Sequence, residues 1–183
     1  MAEELVRRFL VSVPQLRDPN FHRSVIFLVE HNQDGALGLV INRPSTGSMR
    51  DLLVDNGVEY RGSAEVPIML GGPVQPDQAL LLHAEQDVDA ESRQVGSGLR
   101  LSGSLRVLKQ VFGRAAPRAR VYFGYAGWGP GQLEAEIEAG AWILAPVDPS
   151  LIFDAPSDKV WDRALRDLGI DPSMLLAPGG SIN

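Results

Sequence analysis

Apolar positions along the chain come in short blocks separated by turn-forming residues, a spacing that suits strands better than long helices. Residues 8–13 read as a first strand stopped by Pro14, followed by an irregular connection carrying Asp18-Pro19. The run Ser24-Val25-Ile26-Phe27-Leu28-Val29-Glu30 reads as a buried strand. Asn32-Gln33-Asp34-Gly35 follows as a turn and residues 36–42 as its hairpin partner, ended by Arg43-Pro44. Further strands are predicted at 66–70, broken by Gly71-Gly72-Pro73, and at 79–83, 121–125 and 141–145. Helical spacing is confined to four segments. Ser48 caps a helix at 49–55 with Gly57 past its end, and Ser102 or Ser104 starts another that ends near Gly113, with Leu105, Leu108, Val111 and Phe112 on one side. An acidic helix is predicted over 132–139 and an amphipathic one over 158–168, with Trp161, Leu165 and Leu168 inward; Asp171-Pro172 starts a last turn. The polar stretch 85–98 reads as the most mobile loop. Early hairpin strands with helices inserted later predict a mixed α+β sheet in a single domain over 1–183, without repeats or linkers.

Composition narrows the classes of function. A chain of 183 residues that is 44% apolar and 22% charged buries a core of its own and is neither disordered nor collagen-like. The absence of cysteine removes disulfides, thiolate zinc sites, iron–sulfur clusters and thiol nucleophiles, and it suits a reducing cytoplasm. The acidic start, the short apolar stretch stopped by Pro14 and the lack of any apolar run near the ~18 residues that span a bilayer predict a cytoplasmic address and no membrane partner.

Charge is unevenly distributed. The net charge is −6 with a pI near 5.0, yet from Ser92 to Leu133 no acid occurs, while Arg93, Arg100, Arg106, Lys109, Arg114, Arg118 and Arg120 are all basic. Arg106 and Lys109 fall three apart opposite the apolar side of their helix, so this face could contact phosphates of a nucleic acid. No helix-turn-helix pattern supports that, and compensation of the acidic helix at 132–139 by the basic segment is the stronger reading.

Familiar catalytic signatures are missing: there is no Gly-Lys of a phosphate loop, no Gly-x-Ser-x-Gly elbow, no His-Glu-x-x-His and no Gly-x-Gly-x-x-Gly. His31 and His83 both end strands and could meet at one sheet edge with Glu30 or Asp34 as a metal centre, but strand-end histidines more often bond neighbouring backbone. A Ser24–His31–Asp34 triad is weaker still. Glu85, Asp87, Asp89 and Glu91 alternate like calcium ligands without the glycine and distant glutamate of such a loop, so a solvated acidic loop is the better reading. The turn Gly127-Trp128-Gly129-Pro130-Gly131 opens a helix whose N–H groups could hold an anion, with Glu134, Glu136 and Glu138 competing. Glycines at three strand exits allow close approach, which suggests a ligand cleft built from His31, Asn42, Arg43, Gly71, Gly72, Gly127, Trp128, Gly129 and Gly131. No catalytic, cofactor-binding or metal residue is assigned.

Several of these strings are long enough to be specific: Asp18-Pro19-Asn20-Phe21-His22-Arg23-Ser24-Val25, Glu30-His31-Asn32, Gly35 to Pro44, Gly71-Gly72-Pro73-Val74, Gly124 to Glu134, and Trp161…Leu168-Gly169-Ile170-Asp171-Pro172. Together they resemble the AlgH/YqgE family of bacterial proteins over about residues 8–176, with Leu82-His83 also matching a strand ending. The resemblance implies an α+β domain with a bent, bifurcated mixed β-sheet folded into a pseudo-barrel and flanked by helices. It brings no catalytic residues, and the family's regulatory name rests on an alginate-production phenotype rather than on DNA binding. His22 departs from the acidic residue common there in relatives. The expected function is therefore a non-enzymatic cytoplasmic interaction or regulatory protein with a protein partner, transcription regulation being the label the resemblance carries. Two alternatives stand beside it: a small-ligand binder or unusual enzyme using the cleft near His31, Arg43 and Trp128, and a direct nucleic-acid binder using 93–120.

Overall fold

In the computed structural model, which describes residues 5–62, 65–88 and 91–176, alternating apolar positions build nine strands into one hydrogen-bonded sheet. The strands are β1 (Arg8–Ser12), β2 (Val25–Asn32), β3 (Gly35–Val40), β4 (Met69–Leu70), β5 (Val74–His83), β6 (Arg93–Gly96), β7 (Leu99–Ser102), β8 (Ala119–Trp128) and β9 (Trp142–Pro146). Six helices accompany them among the described residues: α1 (Met49–Asp55), α2 (Leu105–Phe112), α3 (Gln132–Glu138), α4 (Pro149–Phe153), α5 (Ser157–Asp167) and α6 (Pro172–Leu176). Sheet order is β6-β7-β5-β8-β3-β2-β1-β9 with antiparallel neighbours, and β4 adds in parallel to β8. The class is α+β, with a bent, forked mixed sheet.

Both faces of the curled sheet are apolar, and both are covered by helices. Phe9, Phe27, Leu39, Leu82, Val95, Leu99 and Tyr122 share the inner core with α4 and α5, whose Ile152, Trp161 and Leu165 pack there. The outer face is split. Leu81 and Val121 lie under α1 and α2 through Met49, Leu53, Val107 and Val111, whereas Leu10, Ile26, Val40 and Ala126 lie under α3 with Trp128 and Trp142. The curl brings β6 back to β2, where Arg93 Nη1 donates to Glu30 Oε2 at 2.9 Å and closes the pseudo-barrel through side chains.

The fork lies on β8. One edge of β8 holds β5; the other holds β4 at Tyr122–Phe123 and then β3 at Ala126–Trp128. The connection Gly71-Gly72-Pro73 must therefore cross β8 from edge to edge, backbone on backbone. A Cβ at Gly71 would lie 2.2 Å from the Gly124 oxygen, and one at Gly72 2.2 Å from the Tyr125 carbonyl carbon, so glycine is required at both. Gly124 itself, at φ +71°, shifts the alternation by one residue: Tyr122 and Tyr125 both face inward, while Val121, Phe123, Ala126 and Trp128 face outward.

Several expected elements are corrected. The strand expected at 66–70 is only Met69–Leu70, because Gly71 begins the crossing; those expected at 79–83 and 121–125 are longer, the first by way of an exposed bulge at 75–78. The stretch read as a loop over 85–98 contains β6, which ends in a two-residue turn with Ser97 and Gly98 at φ +54° and +74°. As an edge strand it buries only Val95 deeply, so its sequence lacks the apolar signature of the central strands. On α2, Val107 takes the inward place expected for Leu105, which is exposed. Helix α4 was not expected; Asp148 caps it and Pro149 starts it.

Candidate functional site

Where the β2–β3 hairpin turns, β8 ends and β5 begins, the pseudo-barrel opens into a cavity of about 410 Å³. Leu37, Val74 and Tyr125 supply its apolar floor, Glu30, Asn32 and Asp34 its rim, and Gly127 and Trp128 part of its wall. The rim is internally ordered. Asn32 Nδ2 donates to Glu30 Oε1 at 3.2 Å, Asn32 Oδ1 accepts from the Asp34 N–H at 2.8 Å, and the other Glu30 oxygen holds Arg93. The hairpin can sit this close to β8 only because Gly35 lacks a Cβ, which would lie 2.1 Å from the Trp128 carbonyl oxygen.

Of the nine residues expected to form one cleft, Gly127 and Trp128 line this cavity; the other seven do not. The Trp128 indole N–H donates to Glu136 Oε2 at 2.9 Å, and the Trp142 indole donates to the same oxygen at 2.8 Å. Gln132 holds the other Glu136 oxygen at 3.0 Å, and Phe21 stacks on Trp128 with centroids 6.3 Å apart. His31, its side chain only 5% exposed, points to the outer face and meets Glu134 Oε1 through Nε2 at 2.6 Å. The backbone hydrogen bond at the start of α3, aided by His31, holds the Glu134 carboxyl below its usual range.

Asn42 and Arg43 act as a clasp. Asn42 Oδ1 accepts from the Val25 N–H at 3.0 Å and its Nδ2 donates to the Arg23 oxygen at 2.9 Å. The Arg43 guanidinium donates to the carbonyls of Pro19 at 2.9 Å and His22 at 2.8 Å, pinning the loop that carries Phe21. Burial lowers the Arg43 pKa against the opposing pull of Asp18. Gly71 and Gly72 belong to the crossing of β8, so the space they open is filled by the chain itself. The Gly129 N–H is taken by Gln132 Oε1 at 3.0 Å, and Gly131 at φ +73° forms the turn into α3.

The remaining candidates also separate. His31 and His83 do not meet: β3 and β8 lie between their strands, and His83, fully buried, faces Ser92 Oγ through Nε2 at 2.9 Å. Ser24 Oγ donates to the Phe21 carbonyl, so no Ser24–His31–Asp34 triad forms. Among the described residues no group of three or more His, Asp or Glu is placed to hold a metal ion. In the acidic loop, Glu85 accepts from Arg114 and from the Arg118 N–H, and Glu91 from the Ser104 hydroxyl; Asp89 lies outside the described residues. In the basic segment, Arg93, Arg114 and Arg118 pair with Glu30, Glu85 and Asp154 rather than with α3. Arg106 and Lys109 are exposed one turn apart on α2, as expected. Of the floor residues, Tyr125 faces inward only because of the shift at Gly124, whereas Leu37 and Val74 carry no chemistry that marks them as part of a site.

No described helix is long and apolar enough to cross a membrane. A profile of the family described as AlgH-like matches residues 9–173. A UPF0301 protein of Methylococcus capsulatus is 44% identical over 165 residues, covering 89% of this chain and 91% of its own length. Another from Anaeromyxobacter dehalogenans is 40% identical over 181 residues, covering 94% and 92%. The solution structure of the AlgH protein from Pseudomonas aeruginosa superposes with a TM-score of 0.76 at 36% identity over 97% of this chain and 96% of that one. A crystal structure of a Corynebacterium diphtheriae protein shares the fold at TM-score 0.77 and 23% identity, covering 94% and 91%.

Proposed function

This chain belongs to the AlgH-like family, and from that premise we propose that it is a non-enzymatic binding protein of regulatory or adaptor type, working in the cytoplasm through the open mouth of its pseudo-barrel. The observation that carries the reading is the cavity of about 410 Å³, in which an apolar and aromatic floor meets a small set of ordered polar groups, the composition typical of binding sites in barrel mouths. The engagement of His31, His83, Trp128 and Trp142 in internal hydrogen bonds supports a scaffold role for those side chains.

The test is a screen of metabolite mixtures against ¹⁵N-labelled protein. A ligand of the mouth shifts the amides of residues 30–37, Val74 and 125–128 together, and Tyr125→Ala removes the response while the remaining spectrum stays folded. A turnover abolished by replacing one imidazole or carboxylate would reject the reading, and mixtures that move none of these amides would remove a small metabolite as the occupant of the mouth. Nucleic-acid binding through Arg106 and Lys109 has less support, since the neighbouring arginines are held in ion pairs. Retention on DNA that falls steeply with salt and vanishes in Arg106→Glu/Lys109→Glu would reverse that ranking.

A further inference from the structure

The mouth borders a piece of strand that, among the described residues, lacks a neighbour on one edge. Strand β5 follows β8 in register from His83↔Ala119 to Ala79↔Phe123, then bulges over 75–78 and touches β8 again only at Val74↔Tyr125. Beyond Tyr125 no described residue pairs with the β5 side of β8, while the opposite edge is occupied by β3.

Hydrogen-bond parity decides where the peptide groups of this open piece point. The Val40 N–H donates to Gly71 O at 2.9 Å, on the side of β3 away from β2. Alternation then directs the peptide groups of Gly38 and Ala36 to that side too, toward their partners Ala126 and Trp128 on β8. Gly127, lying between those two, therefore turns its N–H and C=O the other way, to the side β5 has left. Gly127 is exposed and lines the cavity, and it lacks a side chain that would cover the edge. Natural sheets usually blunt such an edge with lysine or proline. Here a glycine presents it beside a ready-made pocket.

We infer that the mouth receives an extended peptide, which adds to the Gly127 edge of β8 along the line that β5 abandons and sets a basic side chain against the Glu30–Asp34 rim. This rests on the reading of the mouth as the binding site and names the class of its partner. An added strand exchanges two backbone hydrogen bonds with Gly127, and its alternate side chains point into the floor of Leu37, Val74 and Tyr125. Charge selects the residue at the rim. Arg93 offsets the Glu30 carboxylate, whose other oxygen holds Asn32, so the exposed Asp34 carboxylate supplies the rim's net negative charge, in a chain at −6 overall. A small molecule seated on the floor alone would leave the Gly127 peptide groups to water.

The probes are capped hexapeptides alternating valine with lysine, the same peptides with glutamate for lysine, and lysine versions N-methylated at every second amide in each of the two phases. Each is titrated into ¹⁵N-labelled full-length protein. The lysine peptides should shift the Gly127 and Asp34 amides saturably and bind at least tenfold more tightly than the glutamate set. One phase of N-methylation should weaken binding tenfold or more while the other leaves it intact, a signature of strand addition that ionic attraction alone does not give. Asp34→Lys, an exposed substitution, should weaken the lysine set and leave the fold unchanged. An unmoved Gly127 amide, equal binding of both methylated phases, or preference for glutamate overturns the inference. If metabolites still shift Leu37 and Tyr125 in that case, the mouth remains a ligand site without strand addition; silence from both kinds of probe removes both readings.

Discussion

Glu136 accepts from two buried indoles and the Gln132 amide, so a single carboxylate satisfies Trp128 and Trp142 and joins α3 to the outer face of the sheet. Glu136→Ala leaves both indole N–H groups without their acceptor and should cost about 2 kcal/mol, the scale of an unsatisfied buried donor, measured by urea unfolding with tryptophan fluorescence. Glu136→Gln, which keeps an oxygen in place, should lose much less. Tyr122 is the opposite case. Its hydroxyl lies in the inner core with no hydrogen-bond partner among the described residues, and burial drives its pKa upward. Tyr122→Phe should therefore be neutral or stabilising by up to ~1 kcal/mol. A clear loss of stability would mean that the hydroxyl is bonded after all.

Among the elements, the crossing at Gly71-Gly72 tolerates no side chain. Gly71→Ala would force a methyl to 2.2 Å from a backbone oxygen that cannot swing aside, and should cost more than ~4 kcal/mol or prevent folding. Gly98→Ala offers the contrast. Its φ is positive, unlike that of Gly71, but open space surrounds it, so only the left-handed penalty of about 1–2 kcal/mol should appear in the same urea titration. The crossing also explains what the sequence could and could not reveal. The β2–β3 hairpin, α1, α2, α3 and α5 were legible because their signals are local: a turn pair, a serine cap, a heptad-like apolar stripe. The strand β6 and the reach of β5 and β8 were not, since an edge position, a bulge and a one-residue shift at Gly124 depend on partners distant in the chain. The site was less legible for the same reason. Asn42, Arg43 and Trp128 carry conspicuous chemistry but spend it on internal bonds, whereas the mouth is floored by Leu37, Val74 and Tyr125, which look like ordinary strand residues.

For the molecule as a whole, acid stability should be governed first by His83. Burial foremost, with Arg100 and Arg114 acting against the opposing pull of Glu85, lowers its folded pKa, so the native state resists the proton that the unfolded chain takes up near its ordinary value of 6.5. This contribution is fully present above about pH 6.5 and is lost as the pH falls toward the lower folded value. Glu134 and Asp148, held below their usual range, add losses only in more acidic solution. Chemical unfolding at steps from pH 7.5 to 4 should show a decline beginning near 6.5 that flattens in His83→Gln; an unchanged profile would remove His83 from that role. The fork on β8 has a further consequence for how this protein opens. One strand supplies ladder bonds to β5, β4 and β3, so an opening that frees β8 breaks both branches of the sheet at once. Deuterium uptake by the protected amides of both branches should thus proceed as one cooperative event with a common free energy, leaving the outlying β6–β7 hairpin to exchange on its own.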